Sequence, residues 1–386
     1  MTTQRRQIVA VGVVFFVNGA VFSNWLPRVD EVRDRLGVGN GGLGVALLGG
    51  GLGGLLGALA IRRILQRMST LRVLRIGATG LAIAFPFVAV VPNVVGLMIV
   101  LTITGFLDVV NDSSMNAEAA NIQARLPNSI MQRMHGMWSL GFVTGGLLGW
   151  GASAINLGLG VHLTIVSCIL VATITVVLRV LGDEHGSRVV PHESHAERVP
   201  RIGILFIALI TVAVAFIEVT PNEWSAIALR DLFDAGALKG AGPVTFAACM
   251  LVGRLLGDRV VDRIGGRRTM WWAVWLCFAG MALTIVAQGI AVALVGFGLW
   301  GAGVSVLFPQ VYLLAANANE GEPGAGLAVM MLAQRGSFLA TSVVIGSIAE
   351  ASSIRVSFLV VLIGAGLLYV VSLSRWKRDA VIPRMG

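Results

Sequence analysis

The chain has 386 residues, 56% of them hydrophobic and 13% charged, with a formal net charge of +9. That balance excludes a string of soluble domains and places the chain among integral membrane proteins. The basic residues are scattered between apolar runs, which argues against nucleic-acid binding, and Cys168, Cys249 and Cys277 all lie inside such runs, which argues against a disulfide framework or a zinc site.

A spanning helix needs about 20 largely apolar residues. The sequence predicts twelve, near 8–26, 41–61, 73–91, 94–114, 136–155, 161–181, 202–222, 243–260, 270–288, 290–314, 327–349 and 354–374. Arg5 and Arg6 precede the first, which reads as an uncleaved span: it is too long for a signal peptide and no small-residue cleavage site follows. Lys and Arg are distributed about twenty-two to about six between the two sides, a bias that predicts both termini in the cytoplasm. Arg62, Arg63, Arg67, Arg72 and Arg75 form one basic loop; Arg259, Arg263, Arg267 and Arg268 form another.

In span 1, Asn18 lies about ten residues into the helix, roughly 15 Å along its axis. Span 2 carries Gly49, Gly53 and Gly57 at every fourth position, a spacing that lets helices approach closely. Span 4 runs into FLDVVNDSSMNAEA (106–119), where Asp108, Asn111, Asp112 and Met115 recur on one helical face. A carboxylate at mid-bilayer costs about 2.5–3.5 kcal/mol on insertion scales, so such acids are candidates for function. Burial disfavours the charged form of a carboxyl, and an acid so placed can take up and release a proton. The alternative for Asp112 is a cap or pair within the following loop.

His135 opens span 5 as a proton relay or an interfacial hydrogen-bonding group. The polar stretch 183–201 reads as a solvated linker between six spans and six; its His185, His192 and His195 match no metal-ligand spacing. In span 7, Glu218 precedes Pro221, which should break or kink the helix beside a buried acid. Trp25 and Trp224, near the outer helix ends, read as membrane-interface anchors. Trp138 and Trp300 are better cavity candidates, Trp300 either stacking on a ligand or packing in the core. Gln310, Tyr312 and Asn317 continue along span 10. Arg335, in span 11, calls for an anionic partner, either Asp108 or Asp112 or a substrate carboxylate or phosphate, unless its side chain snorkels to the interface.

A shift of about 200 residues aligns the two halves. NGAVFSNWLP (18–27) falls against EVTPNEWSA (218–226), MNAEAAN (115–121) against ANANE (316–320), Gly57 on Gly257, and the two arginine loops on each other. An even number of spans per half preserves orientation, so the pattern argues for two parallel six-helix bundles. That arrangement resembles the major facilitator superfamily over essentially the whole chain, most specifically at GRLLGDRVVDRIGGRR (253–268), similar to the superfamily's loop signature. The first half keeps Gly57, Arg62 and Arg63 but lacks the acid. SNWLPRVDEVRDRLGV, DSSMNAE, HGMWSLGFVTG and EVTPNEWSA further resemble the YbjJ-like branch, at Trp25, Pro27, Arg28, Asp112, Met115, Asn116, His135, Ser139, Gly141, Glu218, Glu223, Trp224 and Ser225.

The resemblance implies an all-α fold of twelve transmembrane helices in two pseudo-symmetric bundles, residues 1–182 and 202–386. It implies a secondary transporter of the cytoplasmic membrane working by alternating access, with spans 1, 4, 7 and 10 around a central cavity. Asp108, Asp112 and Glu218 are then the proton-coupling candidates. Asn18, Trp138, Trp300, Gln310, Asn111, Asn116 and Arg335 are the substrate-binding candidates, and Asp258, Asp262, Arg263, Arg267 and Arg268 the gate. The excess of acids over Arg335 favours efflux of a neutral or cationic amphipathic compound; uptake of a small polar solute, or a receptor or scaffold without turnover, are the alternatives. A small-molecule substrate, protons and the lipid bilayer are the expected partners of a monomer. No cofactor and no enzymatic activity are expected, since neither a phosphate-binding loop nor a catalytic triad pattern occurs.

Overall fold

The computed structural model describes residues 3–123, 125–126, 130–181, 201–316 and 323–375. Helices follow the predicted spans closely. α1 (Thr3–Ser23) leads through a 3-10 turn (Leu26–Arg28) into the short α2 (Val29–Arg35). The first half continues with α3 (Asn40–Arg67), α4 (Thr70–Ala84), α5 (Val94–Gln123), α6 (Met131–Ala154) and α7 (Leu159–Leu181). The second holds α8 (Arg201–Phe233), α9 (Ala241–Ile264), α10 (Gly266–Val286), α11 (Ile290–Val304), α12 (Leu307–Ala316), α13 (Pro323–Ala351) and α14 (Ile354–Arg375). Apart from Arg201, which opens α8, the polar segment 183–201 lies outside the described residues, as does Asn317.

Among the described residues, ten segments are long and apolar enough to cross a membrane, and α14 adds a shorter apolar stretch, Ile354–Gly364. α6 is less apolar because polar residues and repeated glycines dilute its sequence, MQRMHGMWSLGFVTGGLLGWGASA. Those glycines face α1: a side chain on Gly141, Gly145 or Gly149 would run into the backbone of Phe16, Ala20 or Asn24. Likewise Gly49, Gly53 and Gly57 of α3 meet the backbone of α5 at Met98, Thr102 and Phe106, the close approach their spacing predicts.

The span expected at 290–314 stands as one apolar segment, Ile290–Tyr312, carried by two helices, with Pro309 in the first turn of α12, where its missing N–H leaves no helical bond unmade. Two expectations are corrected. α8 runs through Pro221 without the expected break. A proline removes the hydrogen bond to the carbonyl four residues earlier, here Ile217, and Trp300 Nε1 donates to that oxygen at 2.9 Å. Finally, Trp25 and Trp224 are no interface anchors, since both are 0% exposed. Trp25 packs edge-on against Phe22 and Phe85.

The two bundles, α1–α7 and α8–α14, meet along two seams, α3 against α13 and α6 against α9. Successive spans alternate in direction. The C-terminal ends of α1, α6, α8 and α13 and the N-terminal ends of α3 and α9 therefore share one side of the molecule, the far side; the chain's N-terminus is on the near side.

Candidate functional site

In the first bundle, three helices converge on one acid. Trp138 of α6 donates its indole N–H to Asn18 Oδ1 at 2.8 Å, and Asn18 of α1 donates through Nδ2 to Asp108 Oδ1 of α5 at 3.2 Å. One turn further along α5, Asn116 Nδ2 donates to the Asp112 backbone oxygen at 2.8 Å and to its Oδ1 at 3.2 Å. Asp108 and Asp112 both interact electrostatically with Arg335 of α13, which belongs to the other bundle. Among the described residues Arg335 stands beyond ion-pair distance from either and lies beside Gly54 of α3. Tyr312 of α12 is within electrostatic range of Asp112 and Arg335.

The second bundle presents a matching arrangement. Arg254 Nη2 of α9 donates to Glu218 Oε1 of α8 at 3.3 Å, while Glu218 Oε2 is buried with no hydrogen-bond partner. His135 of α6 lies within electrostatic range of Arg254 across the second seam, its ring edge-on to Phe15 at 5.6 Å. Elsewhere on α8, Glu223 Oε2 accepts from Ser342 of α13 at 2.8 Å. Arg254, within GRLLGDRVVDRIGGRR, is not among the residues expected from sequence; its signal there is an arginine inside an apolar span, the counterpart of the acid at Glu218.

Asn18, Trp138, Asp108, Asp112, Asn116, Arg335 and Glu218 are thus drawn into the interior around the bundle interface, and three other binding candidates are not. Trp300 is 0% exposed, boxed edge-on by Phe246 and Phe358 and stacked by Phe297, so it packs the core and offers no face to a ligand. Asn111 is buried where α5 abuts Gly77 of α4, inside its own bundle. Gln310 packs beside Gly266 at the start of α10. Of the expected gate, Asp262, Arg263 and Arg268 are exposed on the near side with no ion pair among the described residues; the side chains of Asp258 and Arg267 lie outside them.

The ionic fastening between the bundles sits at the opposite end. Arg33 of α2 makes a two-point contact with Asp231 of α8, Nη1 to Oδ2 at 2.6 Å and Nη2 to Oδ1 at 2.9 Å. Asp30, fully buried, accepts from Arg230 at 2.9 Å and from Lys239 at 2.8 Å, and Arg230 also pairs with Asp34. Lys239 reaches Glu31 Oε1 at 3.2 Å, where Ser153 donates at 2.6 Å, and Arg28 holds Glu31 Oε2 at 2.7 Å. Asp30 and Arg230 are 200 positions apart and Arg33 and Asp231 are 198. Residues beside a twofold axis meet their own equivalents; Asp30 and Arg230, at the 200-residue offset that aligns the halves, are such a pair and carry opposite charge.

A family model described as transmembrane secretion effector, of the MFS type, matches residues 1–200. The chain belongs to the major facilitator superfamily. It is a membrane transporter, 27% identical over 354 residues to an MFS-type transporter of Yersinia pestis, with 91% of each chain covered. Among solved structures it resembles the nucleoside transporter NupG (TM-score 0.75, 14% identity, 95% of this chain and 99% of that one). It also resembles a bacterial homologue of the human lysosomal transporter Spinster (TM-score 0.75, 11% identity, 99% and 100% covered). These likenesses establish the fold of this transporter, the two-bundle arrangement expected from its internal repeat.

Proposed function

We propose that this transporter is a proton-coupled secondary carrier that works by alternating access, with Asp108 and Asp112 as its proton-binding groups and Arg335 as their counter-charge in the opposite bundle. The observation that carries the reading is the charge relation of one bundle's acids to the other bundle's arginine, with Asp108 held by Asn18, which Trp138 holds in turn. When both acids are ionised, they attract Arg335 and draw the bundles together; a proton on either weakens that attraction and frees the guanidinium for an anionic or hydrogen-bonding group of the substrate. Glu218, with one oxygen on Arg254 and one without a partner, is the third proton-coupling group.

The Lys and Arg distribution supports a cytoplasmic-membrane topology with both termini in the cytoplasm. On that topology the near side is cytoplasmic, and the far-side ion pairs support an inward-facing state. The family's description as a secretion effector favours export of a small amphipathic compound. Arg254 joining Arg335 removes most of the acidic excess that pointed to a cationic substrate, which favours a second reading, carriage of a small polar solute bound through Asn18, Asn116 and the arginines. The test is transport in proteoliposomes under an imposed pH gradient, across cationic, neutral and polar compounds, for the parent, Asp108→Asn and Glu218→Gln. Loss of the pH-gradient dependence in the variants is expected; if both retain the parent's dependence, the coupling assignment is wrong.

A further inference from the structure

His162 stands in the second turn of α7 on the far side, 4% exposed, and neither Nδ1 nor Nε2 has a hydrogen-bond partner. A buried imidazole with both nitrogens unmatched is rare, because each unmet polar group forfeits its hydration. Arg28 Nη1 is buried beside the same fastening and is equally unmatched. The charges within range of the ring are Arg28, from the turn after α1, and Glu31, from α2. The other elements packed on α7, namely α1, α4, the 3-10 turn Phe85–Ala89 and α6, bring no charged side chain within range of it among the described residues. Glu31 belongs to the first bundle, yet its Oε1 also holds Lys239 of the second at 3.2 Å. Arg28 Nη2 also donates to the Leu157 carbonyl at 2.6 Å, in the turn that leads into α7, so the fastening reaches the foot of the helix that carries the ring.

We propose that His162 is a proton-binding site that unfastens the far side: a proton on its ring draws Glu31 toward the first bundle and away from Lys239, and sets a second cation beside Arg28. Both effects penalise the fastened state. Opening also hydrates the ring, so the proton is held better when the far side is open, and by linkage acid on that side favours opening. Lys239 then remains on Asp30 alone, beside Arg230. This inference rests on the far-side ion pairs and is independent of the role given to Asp108.

The experiment is a pulsed spin-label distance measurement between Ile155→Cys and Gln288→Cys, exposed positions at far-side turns of the two bundles, in a parent whose native cysteines are alanine. In the parent, the long-distance population is expected to grow roughly tenfold relative to the short one between pH 8 and pH 5. His162→Gln is expected to match the parent at pH 8 and to stay unchanged at pH 5. A parent that does not respond, or a His162→Gln protein that responds as the parent does, overturns the proposal. Should His162→Gln fail to fold, His162→Met tests the same step, since it fills similar space with a side chain that cannot take up a proton. Its distribution is expected to be independent of pH, and a parent-like response in it overturns the proposal equally.

Discussion

Asn18 donates to Asp108 across 3.2 Å while accepting from Trp138 at 2.8 Å, so a single amide joins the indole to an acid inside the first bundle. Asn18→Ala leaves both the indole N–H and a carboxylate oxygen unmatched, each worth about 1–3 kcal/mol when buried. Transport at neutral pH is expected to fall about tenfold, with its pH profile displaced from the parent's. A slower protein with the parent's pH profile would mark the amide as structural only.

Arg335 and Asp108 belong to different bundles and interact without direct contact. A double-mutant cycle on Arg335→Ala and Asp108→Ala, read by thermal unfolding in detergent, should give a coupling energy of about 0.5–3 kcal/mol. Zero coupling would show that the guanidinium has another partner.

The far-side pair Arg33–Asp231 is open to charge exchange. Arg33→Asp and Asp231→Arg alone each set like charges against one another across the bundles, and either should shift the population toward far-side opening by at least about tenfold. Combined, the two reversals restore opposite charges and should recover most of the parent distribution in the same spin-label measurement. A double variant as open as the singles would remove this pair from the gate.

Trp300 serves the carbonyl that Pro221 leaves unbonded. Trp300→Phe should therefore destabilise the protein by about 1–3 kcal/mol, mostly through the orphaned Ile217 oxygen. Adding Pro221→Ala returns a backbone N–H to that oxygen, so the double variant should unfold at a higher temperature than Trp300→Phe alone. Additive losses would mean that the indole matters only as packing volume.

The helices were legible because apolar length is a local property, and all twelve predicted spans find helical counterparts. The split after Val304 was not, since Pro309 can sit in a first turn as easily as in a kink. Pattern alone also could not tell a ligand-stacking Trp300 from one bonded to Ile217, because the deciding contact joins residues 83 positions apart. Arg254 was readable by the rule already applied to Glu218. The far-side ion pairs were half visible: the same offset that aligned Asn18 with Glu218 also sets Asp30 against Arg230 and Glu31 against Asp231. What the sequence lacked was the axis, which alone turns an alignment into a contact.

That axis has a consequence for how the molecule is put together. Two copies of the first half, docked as the halves dock here, would set Asp30 against Asp30; two copies of the second would set Arg230 against Arg230. Like charges so juxtaposed are a penalty against wrong partners. The helical halves, synthesised as separate polypeptides, should therefore choose each other over themselves, and the ion pairs that join the bundles on the far side would serve as a mating code for assembly.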